Sequence, residues 1–258
     1  MRAKAGALTL ALALLIVAAA GATVIQQGNL RVTVRAQVAP NKLPRTGTAP
    51  IAVFIAGHVG SVDGKVPPQL REMTIKVNRH GLLQSKGLPT CSRPEIQPGS
   101  TEHALDNCAD ALIGSGRFWA SVIFPDQAPY KTTGRLLVFN GKVGKRAVLF
   151  AHIYTTQPFG SSFVLTFAIK RTTGGTYGTE LSTALPKALG NWGFVDRIKL
   201  TLRRKYDYRG QKLSYFNAGC PAPKGTKTAS YPLALATLSF AGNQEISATV
   251  QKSCVVAE

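Results

Sequence analysis

Leu30-Arg31-Val32-Thr33-Val34-Arg35-Ala36-Gln37-Val38 alternates apolar and polar residues without a break. A period of two places the apolar side chains on one face of an extended chain, the mark of a half-buried strand. Further strand-like runs follow at 51–57, 72–78, 117–124, 135–139, 146–155, 162–170, 176–182, 194–206, 211–219, 233–240 and 245–253. Asn140-Gly141, Gly174-Gly175 and Arg209-Gly210 fall between such runs and suit tight hairpin turns, Asn-Gly most strongly. Pro44, Pro50, Pro67, Pro68, Pro89, Pro94 and Pro98 confine the strands of the first hundred residues to short lengths.

One segment departs from this pattern. Leu105, Cys108, Ala109 and Leu112 recur at helical spacing, Ser100 or Thr101 can cap the start, Glu102 suits the first turn, and Gly114 can end it. The spacing predicts a helix from Thr101 to Leu112 with its apolar side on the sheet. Glu102, Asp106 and Asp110 share the outer face, where they read as solvated charge. A row of carboxylates on a rigid helix lacks the wrapping oxygens that calcium needs. The expected fold is therefore all-β: an antiparallel β-sandwich of about a dozen strands with one short disulfide-tethered helix. A candidate break lies near 83–99, where Gly, Ser, Lys and Pro cluster. The roughly 60 residues before it could barely support a core of their own, so 23–258 reads as a single domain.

The first 22 residues carry a different signal. Arg2 and Lys4 precede an apolar run from Ala7 to Ala20 that ends in small residues, the three parts of a cleavable export signal. The run is shorter than the ~20 residues a spanning helix needs. Cleavage after Ala22 is expected, which makes the product secreted or associated with the cell envelope. An uncleaved segment would instead tether it. Thirty-one basic residues face twelve acidic ones, for a formal charge of +19 that falls to +17 once Arg2 and Lys4 are lost. Such an excess accelerates encounter with polyanions. For an exported protein these are an anionic envelope polymer, a polysaccharide or phospholipid headgroups.

Export also decides how the cysteines read. Cys91, Cys108, Cys220 and Cys254 are an even set, which in an oxidising compartment implies two disulfides. Three pairings are open, and local pairing is expected: Cys91 with Cys108, joining a Pro-rich loop to the helix, and Cys220 with Cys254, joining two strand ends. No C-x-x-C pair occurs and the four histidines are scattered, so neither a metal nor a cofactor is expected.

The densest chemical constellation runs from Asp196 to Phe216. With Ile198, Leu200 and Leu202 inward, Arg197, Lys199, Arg203 and Lys205 form one outer stripe, and the returning strand can bring Lys212 beside it. Tyr206, Tyr208 and Tyr215 interleave with these cations. Basic and aromatic side chains so mixed can hold phosphate and stack on rings, which makes Arg197, Lys199, Arg203, Lys205, Tyr208 and Lys212 the candidate anion-binding residues. The competing reading is a solvated face that shields a sheet edge. Signals of catalysis are thin: there is no G-x-S-x-G elbow and no H-E-x-x-H. A triad of Ser161, His152 and Asp196 can be written down, as can a carboxylate pair of Glu180 and Asp196, but no local motif supports either. His152 lies in the apolar run Leu149-Phe150-Ala151-His152-Ile153-Tyr154 and reads as a half-buried, hydrogen-bonded side chain. Trp119 and Trp192 have apolar company and read as core.

Arg79-His80-Gly81, Gly87-Leu88-Pro89-Thr90-Cys91, Gly114-Ser115-Gly116-Arg117-Phe118, Leu137-Val138-Phe139-Asn140-Gly141, Tyr177-Gly178-Thr179-Glu180-Leu181 and Tyr215-Phe216-Asn217-Ala218-Gly219-Cys220-Pro221-Ala222 resemble a group of exported β-rich proteins from soil actinobacteria. The resemblance implies export and one continuous domain, and it carries over no catalytic residue. The expected role is thus non-catalytic: contact with an anionic polymer through a basic sheet face. Two alternatives stand beside it, a secreted hydrolase of carbohydrate or ester and a structural or assembly module that pairs through a sheet edge.

Overall fold

The computed structural model describes residues 22–124, 128–157, 159–185 and 193–257. Residues 1–21, nearly all of the expected export signal, and Trp192 lie outside the described residues. The chain forms β1 (Thr23–Gln27), β2 (Leu30–Ala39), β3 (Lys42–Leu43), β4 (Ala49–Pro50), β5 (Ala52–Ser61), β6 (Leu70–Asn78) and β7 (Gly81–Leu83). Two helices follow, α1 (Arg93–Ile96) and α2 (Thr101–Cys108), the second running into a single 3-10 turn at Ala109–Ala111. Then come β8 (Leu112–Val122), β9 (Tyr130–Val143), β10 (Arg146–Thr155), β11 (Ser161–Arg171), β12 (Tyr177–Ala184) and β13 (Gly193–Leu202). The last are β14 (Lys205–Tyr208), β15 (Gln211–Ser214), β16 (Phe216–Ala218), β17 (Thr228–Phe240) and β18 (Gln244–Val256).

Thirteen of these strands make one sheet in the order β1-β2-β5-β13-β8-β9-β10-β11-β12-β6-β17-β18-β3. Its pairings are antiparallel except the last, where β3 runs parallel to β18. The sheet curls until its ends meet, giving the curled, sandwich-like body that the alternating strands predict. Side chains make the seam: Thr23 Oγ1 donates to the Thr249 carbonyl at 3.1 Å, and Lys252 Nζ donates to the Val38 carbonyl at 3.2 Å and Asn41 Oδ1 at 2.7 Å. Inside lies the main core, with Phe118, Leu136, Val138, Leu149, Ala151 and Val250 facing one another across it. A small sheet, β4-β16-β7, fills one end and carries Phe216 and Ala218 into that core. The Cys220–Cys254 disulfide ties this plug to β18.

A second core sits on the outer face. Leu137 and Phe139 of β9 and Val148 and Phe150 of β10 point outward and are covered by Ile96, Ala104 and Cys108 of the helices. Strand β10 is therefore buried on both sides, which explains its nearly unbroken apolar sequence. Ser100 caps α2 by accepting from the His103 amide at 3.2 Å. Cys91–Cys108 staples the preceding loop to the helix, so both disulfides form in the pairing expected from the sequence.

Local expectations fail where another segment intervenes. Asn140-Gly141 is not a turn but lies within β9. Asn140 is buried, its Nδ2 donates to the Pro89 carbonyl at 2.8 Å, and its own carbonyl accepts from the Cys91 amide at 2.9 Å. A Cβ at Gly141 would collide with the Phe150 ring, so the glycine serves close packing here and not a turn. Arg209-Gly210 does turn, with φ of 51° and 75°, and Gly175 turns with φ of 75°. The helix stops at Cys108 rather than Leu112, because Leu112 already opens β8. Four strands, β1, β3, β4 and β7, lack the alternation that would have revealed them.

The Cys91–Cys108 bridge closes a separation of 17 residues. Replacing both cysteines by alanine should lower unfolding stability by about 3 kcal/mol on the chain-entropy model, measured by denaturant titration under non-reducing conditions. A loss below ~1 kcal/mol would mean that helix packing alone holds the loop.

Candidate functional site

The long basic strand expected over 194–206 divides in two. Strand β13 ends at Leu202, and the Arg203 amide donates to the Ile113 carbonyl at 3.0 Å as the chain leaves the sheet. Lys205 and Lys212 belong to the separate ribbon β14-β15, where Lys205 faces Ser214 and Lys212 faces Asp207. The ribbon docks on the loop at 84–88: Tyr206 donates its hydroxyl to the Gln84 and Lys86 carbonyls, both at 3.0 Å, and the Tyr208 ring lies on Gly87. Tyr215 is buried in the main core. Two of the three tyrosines that sequence reasoning offered as stacking surfaces are thus spent on packing or backbone bonds, and the third, Tyr208, stays half-buried with Arg209 over its ring at 5.3 Å. The stripe of Arg197, Lys199, Arg203, Lys205 and Lys212 is not continuous.

Arg197 and Lys199 instead gain cations from neighbouring strands. In register, Arg35 of β2 lies opposite Ala56 of β5, Ala56 opposite Lys199 of β13, Lys199 opposite Arg117 of β8, and Arg117 opposite Arg135 of β9. This row crosses the strands at right angles and spans about 19 Å at ~4.8 Å per strand. The adjacent row reads Thr33, His58, Arg197, Trp119 and Thr133. The Arg197 guanidinium sits over the Trp119 ring at 5.7 Å from its centre. Phe54, 42% exposed, stands beside the first row.

These side chains border a shallow trough of about 700 Å³ floored by Ala56, Ser115 and Gly116. A Cβ at Gly116 would strike the Lys199 carbonyl oxygen, so glycine lets β8 and β13 approach closely at its floor. Among the described residues, no ion pair involves Arg35, Arg117, Arg135, Arg197 or Lys199. Arg135 also acts weakly on Glu102 of α2. Its carboxyl is held below the usual carboxylate range first by its own amide, then by the Ser100 hydroxyl, with Arg135 a lesser influence. Like charges directly opposite on adjacent strands are destabilising, so the Lys199-Arg117-Arg135 run works against the sheet that carries it.

The catalytic arrangements weighed from sequence come out differently. Ser161 pairs with Thr155 across β11 and β10, and the serine touching His152 is Ser162, at 3.2 Å. His152 is fully buried under the helices and its Nε2 contacts the Gly99 carbonyl at 3.1 Å. Burial pushes its imidazole below the ordinary range, partly opposed by that carbonyl, with His103 adding to the downward effect. Asp196 is elsewhere. It accepts from Ser121 Oγ at 2.7 Å and from Lys131 Nζ at 3.2 Å, and Lys131 also donates to Ser121 at 2.5 Å. This Ser-Lys-Asp group stitches β8, β9 and β13 together around a serine that is only 3% exposed. Glu180 pairs with Lys76 at 3.9 Å, so no shared site joins it to Asp196. Cys91, Cys108 and Glu95 cluster as metal ligands would, but the two sulfurs are bonded to each other.

No protein-family model matches the chain, and neither a curated protein nor a solved structure is detectably similar to it.

Neutral His152 links stability to pH. The unfolded imidazole takes a proton below about 6.5, whereas the folded one resists until lower pH. Stability should be full above pH ~6.5 and fall by at most about 1.4 kcal/mol per unit as pH drops toward the folded value. Urea melts between pH 7.5 and 5 would show this slope, and His152→Gln should flatten it. An equal slope in the variant would assign the effect to other groups.

Proposed function

We propose that this protein binds a linear anionic polymer of the cell envelope through the trough between β2 and β9, without catalysis. The observation that supports the reading is the row of Arg35, Lys199, Arg117 and Arg135, unpaired with acids among the described residues and set edge to edge across five strands. Mutual repulsion in that row is relieved when anions lie along it, so binding energy and sheet stability pull in the same direction once a ligand is present. An extended polymer suits the row better than a single headgroup because the charges are distributed along a line. Trp119 and Phe54 offer apolar surface against which sugar or alkyl parts of the polymer can rest.

Two disulfides fit an oxidising extracellular compartment, and no described helix is long and apolar enough to cross a membrane. With the N-terminal segment they support secretion or retention in the envelope, and likewise the resemblance to exported actinobacterial proteins. Over β2, β5, β13 and β8 the outer face of the sheet carries charge while its inner face is apolar, the reverse of a lipid-facing barrel.

The four cations of the row should give a slope of log affinity against log salt of about −2.8 for a flexible polyanion, measured by fluorescence anisotropy with labelled polyphosphate. Arg117→Thr should reduce that slope by about 0.7 and stabilise the free protein by roughly 0.5 kcal/mol, since it removes two like-charge pairs. Lys205→Thr and Lys212→Thr, on the detached ribbon, should leave both quantities near the parent values. If the ribbon variants weaken binding as much as Arg117→Thr, the overall charge and not the trough is responsible.

A further inference from the structure

The end of the body opposite the Cys220 plug contains an apolar cavity of about 90 Å³. Val59, Phe118, Val122, Ile153, Phe163 and Phe240 line it, from the C-terminal parts of β5, β8, β10 and β17 and the start of β11. In an antiparallel sheet those positions share one end. Gln69, 9% exposed, forms part of the wall. Its Nε2 donates to the Gly193 carbonyl at 3.4 Å, which sets the amide so that Oε1 is buried with no partner among the described residues. The other polar lining is satisfied: the Thr132 and Thr155 hydroxyls bond each other at 2.5 Å, and Thr155 donates onward to the Gln157 carbonyl at 2.9 Å.

A buried acceptor left bare forfeits its solvation with nothing in return, so a partner for Gln69 Oε1 is strongly favoured. Water is a poor candidate, because buried waters take roughly two to four polar partners and this wall offers one free acceptor. The remaining space is apolar and smaller than the ~150 Å³ cavity that accepts benzene, so it suits a short aliphatic group and not a ring. Exposed apolar side chains stand around the same end: Val62 (55%) and Val66 (39%) between β5 and β6, and Phe159 (51%) between β10 and β11.

We propose that this cavity is a binding site for a short aliphatic chain bearing a hydroxyl, with the alkyl part among Val59, Val122 and Ile153 and the O–H donating to Gln69 Oε1. The site is separate from the basic trough, which lies on the outer face. Isobutanol is the probe, and isopentane, with a methyl in place of the hydroxyl, is its comparator. Carbon-13 methyl spectra of the exported chain should show saturable shifts at Val59, Val122 and Ile153 with isobutanol, and weaker binding of isopentane. Gln69→Leu should weaken isobutanol about tenfold, the worth of one hydrogen bond, and leave isopentane unchanged or tighter. Ala120→Leu, which fills the cavity, should abolish both. Thermal melts check that each variant is folded, and if Ala120→Leu is not, the isobutanol–isopentane comparison in the parent and Gln69→Leu still decides. Equal binding of the two probes in the parent, an unchanged isobutanol affinity in Gln69→Leu, or no methyl shift with either probe overturns the proposal.

Discussion

Curling one thirteen-stranded sheet onto its own apolar face is the constraint from which the other features follow. A flat sheet of that width would leave Leu136, Val138, Leu149 and Val250 in water, and burying them is worth about 25 cal/mol for each Å² removed. The sheet therefore bends until its first and last strands approach. The seam is closed by the side chains of Thr23 and Lys252 and by the short parallel strand β3. The ends of such a body must also be closed. One holds the β4-β16-β7 plug, fastened by Cys220–Cys254, and the other retains the cavity beside Gln69.

Closure turns the outer face toward any large partner, and the fold treats its regions differently. Over β9 and β10 the helices build a second core, stapled by Cys91–Cys108, and His152 is sealed beneath it. Over β2, β5, β13 and β8 the face stays open and cationic. The same strand β9 serves both purposes: Leu137 and Phe139 lie under the helices while Arg135, two residues earlier on the same side, lies beside the trough. Packing and charge are thus separated within a few residues by where the helices stop.

Much of the fold is legible in the amino-acid sequence. Period-two runs identified the long strands, and helical spacing with a Ser cap located α2. The even cysteine count implied two bridges with three pairings open, and the expected local pairing is the one that forms. The failures share a cause. Asn140-Gly141 has the chemistry of a hairpin turn, but the loop carrying Pro89 and Cys91 passes over it and satisfies both its side chain and its carbonyl. The run 194–206 reads as one strand because Arg203-Arg204-Lys205 contains no Gly or Pro to mark a break, whereas the backbone turns toward Ile113 directly after Leu202. Local pattern cannot register a contact made by a segment dozens of residues away.

The candidate site divides along the same line. Arg197 and Lys199 were found because they share parity on one strand. Arg35, Arg117 and Arg135 were not, since they lie on three other strands that only register brings level. Alternation, the helix, the even set of cysteines and the excess of positive charge were determined by the sequence itself, because each depends on neighbours in the chain or on composition. Which cations form one row, which tyrosines are spent on packing and where a cavity remains were decided only by tertiary structure. Those depend on strand order, and strand order is settled by how thirteen strands together bury one apolar face.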